Sequence, residues 1–181
     1  MKTIHFHDKE LWRILAKDNL KELEKELPVK ITMRKGNKEA SFTIGGRDAL
    51  YEYIASRVLE AIASGFDFDT AILLKEEDVV FKEVQLKNYV HGSRLSVIKG
   101  RIVGAQGKSK RVIQQLSECS ISLCDNKMGI IGRAENVEIA SKAIESLLRG
   151  AKHANVFKAL EESRTHLKEL DEEDILSSLR K

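Results

Sequence analysis

Hydrophobic residues follow two different periods along the first third of the chain. Stretches in which every second residue is apolar predict strands at residues 3–7, 29–33 and 40–44. Apolar residues three and four positions apart predict helical structure over residues 11–27, which ends at Pro28. The same spacing predicts a long helix that begins after the N-cap Asp48, runs to Ser64 and ends at Gly65. The predicted order is strand, helix, helix, strand, strand, helix.

The second half of the chain repeats this order. The same two periods predict strands at residues 79–86, 120–124 and 128–131 and helices at residues 95–103, 108–116 and 134–149. The closing helices also match in sequence, because residues 54–65 align with residues 139–150 at an offset of 85 residues without a gap. This repeat indicates an internal duplication of one α+β unit, with its helices on one face of a three-stranded sheet.

The segment between the two repeats predicts a short linker helix at residues 66–77. Asp69 is its candidate N-cap, and Ala71, Leu73 and Leu74 are spaced to face inward. We therefore expect a first unit at residues 1–66, a linker helix at 67–78, a second unit at 79–151 and a helical acidic tail at 152–181.

The tail combines a helical pattern with an acidic run. Its apolar residues are spaced for a terminal helix: Val156, Phe157, Leu160, Leu167 and Leu170. Four carboxylates follow at residues 171–174, and then a last short helical piece. Such a run is usually a solvated surface, and the alternatives are that it covers a basic groove or docks a basic partner.

A Gly-x-x-Gly turn, from Gly104 to Gly107, separates two predicted helices of the second unit. Glycine allows positive φ and close approach of another backbone, and the N-terminus of the following helix attracts anions. The first turn of that helix carries Lys108, Lys110 and Arg111, although a helix N-terminus favours carboxylates. Because a bound phosphate would offset this cost, the pattern predicts a clamp for a nucleic-acid backbone.

Positive charge is concentrated around this turn. No acidic residue occurs from Val84 to Ser117. The interval contains these cations: Lys87, Arg94, Lys99, Arg101, Lys108, Lys110 and Arg111. The whole chain has 31 basic and 28 acidic residues, so its net charge of +3 conceals the local excess. Clustered cations favour polyphosphate through Coulomb attraction and counterion release, although a charge run alone is often only a solvated surface.

The first unit lacks this turn. No glycine precedes Gly36, and the junction of its two helices has the mixed sequence Ala-Lys-Asp-Asn at residues 16–19. Three carboxylates follow shortly afterwards: Glu22, Glu24 and Glu26. We therefore expect the first unit to bind phosphate poorly and to pack against the second.

Three other kinds of site are weighed against the clamp. A nucleotide P-loop would need a glycine where Ile102 stands and a strand before the loop. His5 and His7 have no third metal ligand nearby, so we expect them on the solvent face of the first strand. RNA cleavage would need clustered carboxylates or a histidine pair at the phosphate site, whereas His91 and His153 lie outside the turn. We expect no enzyme, no metal ion and no cofactor.

Composition sets further bounds. A chain of 181 residues suffices for one ordinary domain or two small ones. It has no long apolar run and no signal-like start, which predicts a soluble, cytoplasmic protein without a membrane partner. Cys119 and Cys124 have no metal-ligand partners at matching spacing, so we expect buried, reduced thiols.

On these residues, the chain resembles tandem KH domains of type I, the eukaryotic-type β-α-α-β-β-α order, whose Gly-x-x-Gly loop clamps about four single-stranded nucleotides. Residues 100–110 read Gly-Arg-Ile-Val-Gly-Ala-Gln-Gly-Lys-Ser-Lys. They are similar to the Gly-Arg-Ile-Ala-Gly-Lys-Gly-Gly-Lys-Thr-Lys signature of the small-subunit rRNA assembly factors called partner of Nob, in their archaeal form. The resemblance covers about residues 1–160, including a degenerate first KH unit.

The resemblance implies a ribosome-biogenesis factor that binds single-stranded RNA near the 3′ end of small-subunit rRNA during pre-rRNA processing. It also implies contacts with the endonuclease that trims this end and with the alpha subunit of an initiation factor. The backbone clamp would be Gly104, Ala105, Gln106 and Gly107. Arg101, Lys108, Lys110 and Arg111 would supply phosphate contacts, and Arg94 and Lys99 would be further RNA-binding residues. The groove floor for bases would be Ile98, Ile102, Val103, Val112, Ile121 and Leu123.

The sequence departs from the family in the loop itself. Ala105 and Gln106 stand where a lysine and a glycine are usual, so one cation is missing and we expect a lower affinity. The degenerate first unit and the acidic tail motivate a second hypothesis, a protein-interaction scaffold for the nuclease or the initiation-factor subunit with only residual RNA binding. Loss of RNA binding on changing the loop distinguishes the first hypothesis from the second.

Overall fold

The computed structural model describes residues 1–89, 92 and 94–179, with the backbone alone for Lys17, Lys168 and residues 170–179. The first unit comprises β1 (Lys2–His7), α1 (Asp8–Ile14), a 3₁₀ turn (Ala16–Asp18), α2 (Asn19–Glu26), β2 (Val29–Lys35), β3 (Glu39–Gly46) and α3 (Ala49–Ala63). The linker contains α4 (Phe68–Ala71) and a 3₁₀ turn (Ile72–Lys75). Every element predicted for the first unit is present.

The second unit has the same topology. It comprises β4 (Val79–Gln85), a 3₁₀ turn (Leu86–Asn88), α5 (Arg94–Val103), a 3₁₀ turn (Ala105–Gly107), α6 (Lys108–Ser117), β5 (Ser120–Cys124), β6 (Lys127–Arg133) and α7 (Ala134–Leu148), and α8 (His153–Leu179) follows. Both sheets are antiparallel and place their last strand in the centre, in the orders β1-β3-β2 and β4-β6-β5. The expected α+β fold with two three-stranded sheets is confirmed.

Local chemistry explains where the long helices begin and end. The Asp48 carboxylate accepts a hydrogen bond from the backbone N–H of Leu50 at 2.8 Å, which satisfies one of the unpaired donors at the start of α3. Gly65 and Gly150 follow α3 and α7 with φ of +93° and +101°, which glycine adopts without strain. These caps match the predicted boundaries.

The linker and the tail differ from the predictions. Asp67, not Asp69, caps the linker helix, because its carboxylate accepts from the N–H of Thr70 at 2.8 Å. Leu73 is 46% exposed, since the helix tightens to a 3₁₀ turn and turns this side chain outward. The tail is one continuous helix, α8, without the predicted break. The side chains of the acidic run at residues 171–174 lie outside the described residues.

The backs of the two sheets, which face away from their own helices, have different environments. On the second sheet, Phe81 and Ile131 are buried and join the hydrophobic core of the first unit. The ring of Phe66 stands edge-on to Phe81 with centroids 6.1 Å apart, and a Cβ added to Gly129 would lie 2.5 Å from the Phe66 ring. The first unit therefore covers the back of the second sheet.

Polar contacts reinforce this packing between the units. The guanidinium of Arg57 on α3 donates to the carbonyl oxygen of Phe81 at 2.6 Å, and the hydroxyl of Ser64 donates to the Glu83 carboxylate at 2.9 Å. The ammonium of Lys127 lies 3.5 Å from a Glu10 oxygen and 3.4 Å from a Glu83 oxygen. Within the described part of the chain, no helix combines the length and the apolar character needed to cross a bilayer.

Candidate nucleic-acid interface

The Gly-x-x-Gly loop joins α5 to α6 through a backbone that needs glycine at its ends. Gly104 and Gly107 have φ of +73° and +77°, and Gln106 between them also has a positive φ of 52°. A Cβ on Gly104 would lie 2.7 Å from the Cβ of Ser109 and 2.8 Å from its nitrogen, closer than real atoms approach. At Gly107 nothing lies within 4 Å of the added atom, so glycine is favoured there only because of its positive φ.

The start of α6 presents a positively polarised surface. Gly107 is its N-cap and offers no side chain to satisfy the first N–H groups, and no acidic residue occurs in the first turn. Ala105, Gln106 and Lys108 are exposed and Lys110 is half-buried. Among the described residues, neither lysine pairs with a carboxylate, so both charges add to the helix dipole at this end. An anion is the complementary ligand.

A buried hydroxyl lies at the same junction. Ser109 is 6% exposed, and its Oγ has no hydrogen-bond partner among the described residues. An unpaired buried hydroxyl costs about 1–3 kcal/mol relative to one that is hydrogen-bonded. The sequence predicted the loop around Ser109 but did not single out this residue, because its burial follows from the close approach of Gly104.

The two arginines of this region donate hydrogen bonds to backbone carbonyl oxygens within the protein. The Arg111 guanidinium donates to the carbonyl oxygen of Gln106 at 2.9 Å, which holds the loop while the side chain remains exposed. Arg101 donates to the carbonyl oxygen of Ala151 at 2.7 Å, and the ring of His153 bonds the Arg101 carbonyl at 2.9 Å. Arg101 therefore ties α5 to the start of α8. Its contact with phosphate stays a prediction.

The other predicted cations lie along α5. Lys99 is half-buried and one helical turn before the end of α5, whereas Arg94 is exposed at its first residue. At 1.5 Å per residue, Arg94 stands about 15 Å from the loop along the helix axis. Lys99 is therefore close enough to act with the loop, and Arg94 can reach only a more distant part of a bound strand.

Only some of the residues predicted to form the apolar floor for bases reach the protein surface. Ile102 is 1% exposed, Ile121 4% and Ile98 8%, so these side chains belong to the core below the surface. Ile102 has the least exposed surface of the three, and its contact with a base stays a prediction. The half-buried side chains that remain are Val103, Val112 and Leu123.

The corresponding junction of the first unit is closed by its own side chains. Asp18 adopts a left-handed conformation with φ of 58° without a glycine. Asn19 is 7% exposed, and its amide donates to the carbonyl oxygen of Arg13 at 2.9 Å. The ammonium of Lys21 lies 3.1 Å from the Asp18 carboxylate. This junction has no Gly-x-x-Gly sequence, and its described ion pair joins Lys21 to Asp18.

The remaining candidate residues are the two cysteines and the histidines. Burial raises the pKa of the Cys119 thiol to about 11, and burial also raises the pKa of the half-buried Cys124 thiol, so both are protonated at neutral pH. His5 and His7 are exposed on the outer face of β1, as predicted. No group of three His, Cys, Asp or Glu residues within the described ranges is arranged to hold a metal ion. His91 lies outside the described residues.

Comparison with known proteins agrees with this geometry. Residues 80–165 match the family model described as eukaryotic type KH-domain (KH-domain type I). A KH domain-containing protein of Methanocaldococcus jannaschii is 35% identical over 158 residues, which cover 84% of this chain and 68% of that protein. The pre-rRNA-processing protein pno1 of Schizosaccharomyces pombe is 36% identical over 114 residues, 61% of this chain but only 47% of that protein. The chain therefore spans about half the length of the yeast relative.

A solved structure extends the similarity to the whole fold. It is the crystal structure of the a/eIF2alpha-aDim2p-rRNA complex from Pyrococcus horikoshii OT3, and the matched chain is 27% identical with a TM-score of 0.80. The match covers 91% of this chain and 95% of that one, so the similarity is not confined to one unit.

Proposed function

This chain belongs to the Pno1/Dim2-type family of KH-domain rRNA assembly factors, and on that premise we propose that it binds single-stranded rRNA near the 3′ end of small-subunit rRNA through the Gly-x-x-Gly loop of the second unit. The observation that carries the proposal is the loop itself. Its two glycines have positive φ, and an uncapped helix with Lys108 and Lys110 in its first turn follows. Such a site suits a phosphate backbone.

The relatives support RNA as the ligand. The yeast relative is named for pre-rRNA processing, and the Pyrococcus relative forms a complex with rRNA. In the proposed mechanism the backbone of Gly104–Gly107 approaches the phosphates closely, because the glycines carry no side chains. Lys99, Lys108 and Lys110 neutralise phosphates, and Val103, Val112 and Leu123 contact the bases. Binding positions the RNA and involves no catalytic step.

Partner proteins are part of the same proposal. The Pyrococcus complex contains a/eIF2alpha, which supports the initiation-factor alpha subunit as a partner of this chain. We extend the proposal to the endonuclease that trims the rRNA 3′ end, on the family resemblance of residues 100–110, and to a cytoplasmic site of action. In the scaffold alternative these proteins would be the main ligands and RNA binding would be residual.

Fluorescence anisotropy with a labelled small-subunit rRNA 3′-end oligomer and a scrambled control tests the proposal. Three to four phosphate contacts predict a log–log salt slope of about −2 to −3, because each contact on single strands contributes about −0.7. The variant Ala105→Asp/Gln106→Asp should abolish sequence-preferring binding. Gln115→Asp/Asn155→Asp adds the same charge outside the loop and should bind like the wild type. Unchanged binding by the loop variant would exclude the clamp and favour the scaffold.

A further inference from the structure

Helix α8 follows the second unit and packs against two of its helices, α6 and α7. Val156 and Leu160 of α8 are buried and join the hydrophobic core of the second unit, and Phe157 packs against the same core. The first unit, which lacks the Gly-x-x-Gly loop, is followed instead by the four-residue helix α4. The long additional helix therefore accompanies the unit that has the loop.

The start of α8 is hydrogen-bonded to the end of α5, close to the loop. The ring Nε2 of His153 donates to the carbonyl oxygen of Arg101 at 2.9 Å, three residues before Gly104. Carbonyl groups in the last turn of an α-helix lack partners within the helix, so His153 satisfies a group that α5 cannot. The Arg101 guanidinium donates in turn to the carbonyl oxygen of Ala151 at 2.7 Å. Two hydrogen bonds therefore join the end of α5 to residues 151–153.

A second contact joins α8 to the far end of α6. The guanidinium of Arg164 donates to one carboxylate oxygen of Glu118, from Nε at 3.3 Å and from Nη2 at 3.1 Å. Glu118 is the C-cap of α6 and has a left-handed backbone with φ of 53°. Because both side chains reach solvent, this pair is weaker than the contacts of His153. It nevertheless fixes where the end of α6 lies relative to α8.

The spacing of these two contacts matches the length of α6. His153 and Arg164 are 11 positions apart in the sequence, which is about 16 Å along a helix. Helix α6 has 10 residues and is about 15 Å long. One contact lies beside the loop and the other at the end of α6 that is distant from the loop, so α8 runs alongside α6. A displacement of α8 would therefore move α6 relative to α5 and change the shape of the loop between them.

We propose that His153 and Arg164 are positioning residues for the Gly-x-x-Gly loop, and that α8 sets the arrangement of α5 and α6 that an RNA backbone requires. Neither side chain contacts the RNA, and both act through the helices. The proposal rests on the proposed function in that RNA binds at the loop. It adds a dependence of RNA affinity on residues outside the binding surface, because a loop that is already ordered loses less conformational freedom on binding.

Two variants of the full chain, each with a matched control, test this role of α8. His153→Ala removes the bond to α5, and His153→Gln keeps an N–H donor on the side chain. Arg164→Glu breaks the pair with Glu118, and Glu118→Arg/Arg164→Glu restores the pair with the charges exchanged. Lys158→Glu makes the same change of charge on the exposed surface of α8, where Lys158 lies 3.7 Å from a Glu162 oxygen. Thermal melting checks that every variant is folded at the temperature of the binding measurement.

The first readout is fluorescence anisotropy with the labelled rRNA 3′-end oligomer over a series of salt concentrations. His153→Ala should weaken binding by about threefold to tenfold and Arg164→Glu by about twofold to fivefold. The salt slope of His153→Ala should equal that of the wild type, because no phosphate contact is lost. The three controls should bind like the wild type. Wild-type affinity of His153→Ala would overturn the proposal. An equal loss for Lys158→Glu and Arg164→Glu would overturn the role of Arg164, because charge alone would explain it.

The second readout is hydrogen exchange of the backbone amides without RNA, which separates the loop from the overall stability. The N–H groups of Gly104 and Gly107 donate to the carbonyl oxygens of Gly100 and Gly104 at 2.8 Å and 3.2 Å, so their exchange rates report on opening of the loop. In His153→Ala these two amides should exchange faster, while the amides of the central strand β6 keep their wild-type rates. Equal acceleration in the loop and in β6 would indicate a general structural role and overturn the proposal, as would wild-type rates throughout.

The variant Ala105→Asp/Gln106→Asp distinguishes failure of the α8 proposal from failure of the clamp. If this loop variant loses RNA binding while His153→Ala and Arg164→Glu keep wild-type affinity, the clamp stands and the positioning role of α8 is excluded. If the loop variant binds RNA like the wild type, the clamp proposal fails. The exchange rates then decide whether α8 positions the loop: faster exchange confined to Gly104 and Gly107 supports that role, and any other pattern excludes it.

Discussion

Among the described residues of the first unit, Arg34, Lys35 and Lys38 on the β2–β3 hairpin are exposed and pair with no carboxylate, whereas in the second unit Lys108 and Lys110 are unpaired at the junction of α5 and α6. The two units share a sheet order and closing helices of equal length. Among the described residues, Asp18 of the first junction pairs with Lys21 and the Asn19 amide donates to the Arg13 carbonyl oxygen, whereas Lys127 of the second hairpin pairs with Glu10 and Glu83. A duplicated fold can therefore keep its topology while its two copies differ in where they expose positive charge.

The geometry of the Gly-x-x-Gly loop, which the first junction lacks, predicts the largest effect. Gly104→Ala combines a backbone conformation that only glycine adopts with a clash against Ser109, so we expect a loss of about 2–4 kcal/mol in stability and of RNA binding. Gly107→Ala carries only the left-handed cost, about 1–2 kcal/mol. Urea denaturation and anisotropy measure both. Equal effects of the two substitutions would contradict the close approach at Gly104.

The next prediction compares the covered back of the second sheet with the exposed back of the first sheet. Gly129→Ala places a methyl group against the rings of Phe66 and Phe81, so it should destabilise the protein by about 1–3 kcal/mol. Thr32→Val changes the exposed back of the first sheet and should stay within about 0.5 kcal/mol of the wild type. Thermal melting compares the two. A neutral Gly129→Ala would mean that the units do not pack in this way.

A smaller difference separates the buried polar groups of the two junctions. Asn19→Ala leaves the Arg13 carbonyl without its donor and should cost about 1–2 kcal/mol without altering RNA affinity. Ser109→Ala removes a hydroxyl that has no partner among the described residues, so its stability should equal or exceed that of the wild type. Denaturant titration of both variants checks this. A destabilised Ser109→Ala would imply that the hydroxyl is hydrogen-bonded.

The smallest predicted effects compare an arginine with a structural role and a lysine that contacts phosphate, both in the second unit. Arg101→Ala loses the bond to Ala151 and should reduce stability by about 1 kcal/mol while leaving the salt slope of RNA binding unchanged. Lys110→Ala should leave stability unchanged and reduce the magnitude of that slope by about 0.7. If Arg101→Ala instead reduced the slope and Lys110→Ala did not, the assignment of these two residues would be reversed.

The sequence predicted the local features because they depend on neighbouring residues. The two periods identified every strand and long helix, and Asp48, Gly65 and Gly150 marked the helix ends. The Gly-x-x-Gly turn could also be predicted, because glycine is the residue that adopts positive φ without strain.

Features that depend on distant residues could not be predicted in this way. Arg101 meets a carbonyl 50 residues away, and nothing in its neighbourhood indicates that contact. Ile102 has the same spacing as a groove residue but lies in the core. The cover over the second sheet comes from Phe66, which precedes the linker helix, so the difference between the two sheet backs appears only once the units are packed together.

The most direct test of the contrast between the units is a map of backbone amide chemical shifts as a short single-stranded rRNA 3′-end oligomer is added. The account predicts shifts at Gly104, Gln106, Gly107 and the first turn of α6, and none at residues 16–19 of the first junction. Shifts of equal size at both junctions, or shifts at the first junction alone, would contradict it.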